Sequence, residues 1–480
     1  MQREFNLNII MLVAINLLIK PFFIFGIDRT VQNVVGTSEY GMYFTLLSLT
    51  YLLQIINDFG IQNFNSKEIS QNRHLIHKYL PNMLTIKLGL SLLFLAAVFG
   101  VGFLAGYQMH FNWLLFLAFN QILVSLNFFF RTNLSGLGFY RTDSLISGLD
   151  KFLMILFCGV LLWAPTFKSH FNIAWFIYAQ TLALIITNLV SGGLVWNRLN
   201  KENGFKVRTK VSMLLLKRSL PFALVILLMS LYTRMDVIMI ENMLEDGEYQ
   251  AGVYGAGYRL LDASNMIGYL FASLLLPMFS RMLKKKEAIG NLVSHSFRMI
   301  YAGAVALSVA VFFFRFVIVE WLYTDSTAEF GVVLGWLMFS FIGVSGTYIF
   351  GSLLTANGSL NRLNWIFVFG IIINLVLNLI LIPKSGAEGA AIATLVTQML
   401  VFFSQLFLTR WEMGFALSGE VMARSGIYFF ACLGVIYLLS QLDIMPWQML
   451  FLGAIIVQLA LAVLLKLVNF KFLFEFIPRK

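Results

Sequence analysis

Apolar runs of about twenty residues recur along the chain, from IIMLVAINLL near the start to MLFLGAIIVQLALAVLLKLV near the end. Each is long enough to cross about 30 Å of hydrocarbon as a helix. Hydropathy predicts about fourteen spans, at 8–27, 40–60, 82–106, 111–134, 147–164, 171–196, 216–242, 251–279, 296–319, 330–356, 362–382, 386–410, 422–440 and 446–468. Only APTFKSHFN separates the fifth from the sixth. The predicted fold class is an all-α polytopic membrane protein.

Composition supports that pattern. The 480 residues are 59% hydrophobic and 12% charged, where a soluble domain carries roughly 25% charged residues. The start, MQREFNLNIIMLVAINLLIKPFF, reads as an uncleaved first helix, because Asn16 and Lys20 interrupt its apolar run and no small-x-small cleavage site follows. Cys158 and Cys432 sit inside apolar runs and read as small core residues. No residues have metal-ligand spacing, so neither a metal nor a cofactor is expected.

Charge then orients the spans. Loops after even-numbered spans hold Lys67, Arg73, Lys78, KVRTK with Lys217 and Arg218, RMLKKK, Arg362 and Arg424. Loops after odd-numbered spans hold only Arg29, Lys168 and Lys384, and carry acids such as ENMLEDGE, Glu320, Asp325 and Glu329. Lys and Arg near span ends favour the cytoplasm, so both termini are expected inside. The same bias explains the net charge of +11 without a nucleic-acid partner.

A weak internal echo divides the chain. YGMYFTLL at Tyr40 and YGAGYRLL at Tyr254 share a pattern, and Gly138 with Arg141 matches Gly358 with Arg362 at a similar offset. This predicts a six-helix lobe over 1–196, a basic cytoplasmic linker over 197–215, a second six-helix lobe over 216–410, and two further helices over 411–480. Six spans per repeat keep both halves in one orientation, as parallel repeats whose seam is where transporters commonly bind substrate.

Charges that fall deep in spans are the candidate site. A charge at bilayer depth costs at least ~2.5–3.5 kcal/mol and usually faces a bundle interior or a wet cavity. Lys20 lies ~20 Å into span one at 1.5 Å per residue, with Asn16 one turn earlier. Arg29, beside Asp28, is near that span's outer end. Arg234 and Asp236 fall in the outer half of span seven, roughly 200° apart around the helix, so they do not simply pair with each other. Either could face the cavity. Arg259 and Asp262 on span eight are at i,i+3 and can pair locally. Lys20, Arg29, Arg234 and Arg259 therefore define a cationic cavity suited to phosphate or pyrophosphate, with Asp236 and Asp262 as charge partners or ion-coupling groups. Arg131 reads as a snorkelling residue, Asp58 as a helix-end hydrogen-bonding group, and Asn374 with Asn378 as an interhelical polar stripe.

VGTSEYGMYFTLLSLTYLLQIINDFGIQNFNSKEIS, TRMDVIMI followed by AGVYGAGYRLLD, and PKSGAEGAAIATLVTQ together resemble the bacterial polysaccharide flippases of the Wzx type in the MOP superfamily. The resemblance covers essentially the whole chain. It implies transport rather than catalysis: an undecaprenyl-pyrophosphate-linked oligosaccharide (an O-antigen, capsule or exopolysaccharide unit) moved across the bacterial inner membrane by alternating access. It also implies contact with membrane lipid, proton or sodium antiport, and a polysaccharide polymerase as a partner. Competing readings are a lipid II flippase, a multidrug exporter of the same superfamily, and, from a different class, a membrane glycan polymerase or ligase. The short outer loops and the lack of paired carboxylates argue against that last one.

Overall fold

The computed structural model describes residues 18–62, 64–65, 76–198, 207–440 and 446–468, with Ile15 and Ile69. Asn16, Lys67, Arg73 and residues 199–206 of the predicted linker lie outside the described residues. All regular elements among the described residues are helical, as expected where lipid offers backbone groups no partners. The chain forms two compact units, Met1–Gly252 and Val253–Lys480.

In the first unit, a π-helical turn over Phe23–Asp28 leads into α1 (Arg29–Val35). After Gly36 come α2 (Thr37–Leu52) and, past a break at Leu53, the short α3 (Gln54–Asp58). Then follow α4 (Ile76–Leu104), α5 (Phe111–Gly136), α6 (Tyr140–Ile146), α7 (Leu149–Trp163), α8 (Ile173–Arg198) and α9 (Thr209–Met243). Helix α5 packs against α8, α2 and α4, while α9 packs against α2, α3 and α4. Helix α10 (Gly247–Lys284) begins in this unit and continues into the next.

The second unit adds α11 (Gly290–Leu322), α12 (Ala328–Asn357), α13 (Leu360–Met413), α14 (Gly419–Ser440) and α15 (Trp447–Leu464). Helix α12 packs between α11 and α13, and α14 and α15 both rest on α11. Helix α13 holds the predicted spans eleven and twelve as two segments meeting at Gly386, where φ is 55° and ψ is −135°. That conformation is essentially confined to glycine. Gly386→Ala is expected to destabilise the solubilised protein by about 1–3 kcal/mol, read as unfolding free energy in a denaturant titration. A variant as stable as the native chain would refute the strain at this junction.

Nine described helical stretches are long and apolar enough to cross a membrane, among them α13. Helix α2 has only 16 residues before its break. Helices α9 and α10 are 35 and 38 residues long and carry Arg234, Asp236, Arg259 and Asp262 within apolar stretches.

Candidate functional site

The π-helical turn of span one places Lys20 just before it and Asp28 at its end. Such turns often mark functional positions, because the extra residue rotates side chains out of the α-helical register. Helix α7 packs on this turn. The approach is close: a Cβ on Gly148 would meet Ile15 at 2.5 Å and Ile19 at 3.2 Å. Span one therefore lies directly beside Asp150 and Lys151 at the start of α7.

Lys151 Nζ sits 3.5 Å from an Asp150 oxygen and 4.7 Å from the centre of the Phe23 ring. Arg131, on α5, donates from Nε to Asp143 of α6 at 2.7 Å and stacks at 5.5 Å over Phe128. The charges of Asp150, Lys151 and Arg131 all act on Lys20. Farther along, Tyr51 of α2 lies within electrostatic reach of Lys151 and carries the Arg234 guanidinium 4.8 Å above its ring. Tyr43 neighbours Tyr51, Arg234 and Asp28, and Tyr40 donates its hydroxyl to Asp28 at 3.2 Å.

The first unit thus assembles Lys20 and Arg234, both predicted site residues, with Arg131, Lys151 and a row of tyrosines. Aromatic faces help to hold these cations in place. Asp236 is buried while Arg234 is partly open. Arg29 is half-buried, with Nε shielded from solvent and without a hydrogen-bond acceptor. Arg131, read from the sequence as a snorkelling residue, has Asp143 as its ion-pair partner.

A second polar group in this unit is closed. Lys87 of α4 contacts Asp58 at 2.7 Å, with side-chain exposures of only 1% and 5%. Its ammonium also donates to Ser125 at 2.6 Å. Ser91 donates to Asn57 at 3.0 Å, and Asn57 donates to the Gln121 carbonyl at 3.2 Å. Asp58 does accept from the Gln62 amide at 3.4 Å, as a helix-end residue should, but its main partner is Lys87. This network ties α3 to α4 and α5.

Arg259 and Asp262 belong to the second unit. Arg259 is buried there, and the charge of Asp262 acts on it. Tyr323 donates to the Ala256 carbonyl at 3.3 Å. Tyr254 shares a 3.1 Å hydrogen bond with Thr394. Asn378 donates to Asn374 at 3.1 Å, so the predicted asparagine stripe pairs within its own helix. Cys158 and Cys432 are both buried thiols.

The model of a family described as polysaccharide biosynthesis protein matches residues 7–283, more than half of the chain. The chain belongs to that family. It is 24% identical over 391 residues to an uncharacterised membrane protein of Methanocaldococcus jannaschii, covering 78% of this chain and 90% of the relative. Its fold is similar to a lipid II flippase, MurJ, in an inward closed conformation, with a TM-score of 0.74 and 13% identity over 95% of this chain and 98% of that one. It is also similar to an inward-facing multidrug-resistance MATE transporter of the MOP superfamily, with a TM-score of 0.63 and 13% identity over 85% and 98% of the two chains. A third likeness is to a Pyrococcus furiosus MOP-superfamily transporter noted for the reversed polarity of its binding pocket, with a TM-score of 0.58 and 12% identity over 85% and 94%. The protein is a multi-pass membrane protein of a transporter and flippase fold.

Proposed function

We propose that the protein flips an undecaprenyl-pyrophosphate-linked oligosaccharide from the inner to the outer leaflet of a bacterial inner membrane, with both of its termini in the cytoplasm. The observation that carries this reading is the stacking of Arg234 on Tyr51 in the same unit that gathers Lys20, Lys151 and Arg131. Lys20, Arg29, Arg131, Lys151 and Arg234 share that unit with Asp28, Asp143, Asp150 and Asp236. That balance favours an anionic head group over an organic cation, whereas a cationic-drug exporter would present unpaired carboxylates. The long prenyl tail would remain in lipid while the diphosphate and glycan pass through a polar path.

In this reading Arg234, Lys20, Arg29 and Arg259 hold phosphate charge, and Asp236 and Asp262 position the arginines or exchange a proton or sodium ion during alternating access. A polysaccharide polymerase is the natural consumer of the product. The test uses proteoliposomes containing a fluorescent undecaprenyl-pyrophosphate oligosaccharide. Losing a hydrogen bond to a charged group costs about 1.5–3 kcal/mol, so an Arg234→Ala, Arg259→Ala double variant that still inserts should flip this substrate roughly 100-fold more slowly. Native-rate flipping by that variant would refute the assignment. Lipid II and a cationic dye are run in parallel, and preferential movement of either one would shift the substrate class to that compound.

A further inference from the structure

Two kinds of ion pair occur in the first unit, and their exposure separates them. The Lys87–Asp58 pair is sealed, at 1% and 5%. The Arg131–Asp143 and Lys151–Asp150 pairs stay partly open, with side-chain exposures of 16% and 21%, and of 27% and 18%. A sealed pair can only hold helices together. An open pair can exchange its partner.

The open pairs also differ in position from Arg234. Arg131 is near the end of α5, and Lys151 is near the start of α7, so both lie at the end of their helices that loop charge assigns to the cytoplasm. Arg234 is 26 residues into α9, which begins at Thr209 on that same side. By position along their helices, Arg131 and Lys151 lie nearer that end than Arg234 does.

We propose that Lys20, Arg131 and Lys151 form a distinct capture station for the diphosphate head group of a prenyl-linked substrate, which receives it before Arg234 does. This rests on the flippase reading above and adds new residues and an order of binding to it. Asp143 and Asp150 act as internal stand-ins for the phosphate. When the station is empty they balance two of its three cations, which makes a cluster of three positive charges tolerable inside an apolar lobe. An incoming diphosphate supplies more acceptor oxygens in the same place and displaces them. When the head group moves on toward Arg234, the carboxylates return to the cations. The station therefore releases its ligand instead of trapping it.

This arrangement has a signature that a purely structural pair lacks. Removing a competing carboxylate should tighten binding and slow transfer. The probe is farnesyl diphosphate, titrated against the full-length protein in nanodiscs, with inorganic pyrophosphate as a parallel arm. Arg131→Gln and Lys151→Gln should each weaken farnesyl diphosphate binding roughly tenfold, and Arg131→Lys should recover part of it. Asp143→Asn should bind the probe several-fold more tightly while lowering the maximal flipping rate in proteoliposomes. In the flipping assay, the two Gln variants should raise the half-saturating substrate concentration more than they lower the maximal rate.

Unchanged probe binding in both Gln variants overturns the station, and so does weaker binding in Asp143→Asn. Equal affinity for inorganic pyrophosphate overturns the prenyl-linked source. These failures differ from failure of the flippase reading, in which the native chain moves no diphosphate-linked glycan at all. If the native chain flips its substrate and the Gln variants match it in both parameters, only the station falls.

Discussion

Lys87→Met is expected to lower the unfolding free energy of the solubilised protein by about 3–5 kcal/mol, the effect of leaving one member of a buried ion pair behind. The stranded group is Asp58, whose side chain is 5% exposed. Its location adds to the penalty. Asp58 is the last residue of α3, and the next residue, Phe59, turns into the left-handed region at φ 46°. A helix C-terminus carries partial negative charge, so a carboxylate there is disfavoured without a cation nearby. Lys87 supplies that cation, and Ser125 accepts its second hydrogen bond.

The companion experiment makes the claim specific. A Lys87→Met, Asp58→Leu double variant removes both charges and should recover most of the lost stability, because apolar replacement of a whole buried pair is often neutral or better. Denaturant titration of the three proteins measures both effects. A single variant as stable as the native chain, or a double variant no better than the single, would show that the pair does not hold α3 in place. Ser125→Ala should have a smaller effect, about 1.5–3 kcal/mol, from one hydrogen bond to a charged group.

This pair also shows where sequence reading stops. Lys87 lies a little more than one turn into the predicted third span, where a lysine is ordinary. Its partner is 29 residues away, and no local spacing links the two. Lys151 is hidden in the same way at the start of span five, although the adjacent Asp150 was an available signal. Arg131 looked like an interface anchor because the Asp143 that binds it follows only after the chain has turned from α5 into α6. By contrast, long apolar helices such as α4, α8 and α11 are legible, since lipid exposure dictates their composition directly. Helices α9 and α10 are marked by charges set within long apolar stretches. What hydropathy cannot supply is which helices touch. That is decided by side-chain packing and close backbone approach, as where α9 packs against α2 in the first unit.

Close backbone approach also sets the second large effect: Gly252→Ala is expected to destabilise the folded protein by about 3 kcal/mol or more, at or beyond the upper end of usual overpacking penalties. Helices α2 and α10 meet at their first turns through glycines. A Cβ on Gly252 would lie 2.2 Å from the Thr37 carbonyl oxygen and 2.7 Å from Thr37 Cγ2. From the other side, a Cβ on Gly41 would lie 1.8 Å from the Glu248 carbonyl oxygen and 2.6 Å from the Gly252 nitrogen. The nearest obstacles are mainly backbone atoms, so no rotamer change relieves the clash, and the helices must separate. Such small-residue crossings are how helices associate in lipid, where the hydrophobic effect gives little drive.

The crossing is also hydrogen-bonded, since Gln32 donates from Nε2 to the Gly252 carbonyl at 3.3 Å. A methyl group at residue 252 should therefore expose Gln32 as well as weaken the fold. Because a transport cycle interconverts states, a penalty confined to the state in which these helices touch would also shift the population away from it, by a factor of roughly 150 for 3 kcal/mol. Maleimide labelling of a Gln32→Cys reporter in membranes measures that shift: labelling should be faster when Gly252→Ala is added. Gly41→Ala should act in the same direction, because it obstructs the same crossing from the opposite helix. Unaltered labelling together with unaltered stability in both glycine variants would mean that the helices have room to spare at this crossing. If stability falls without faster labelling, the contact is structural and stays closed throughout the cycle.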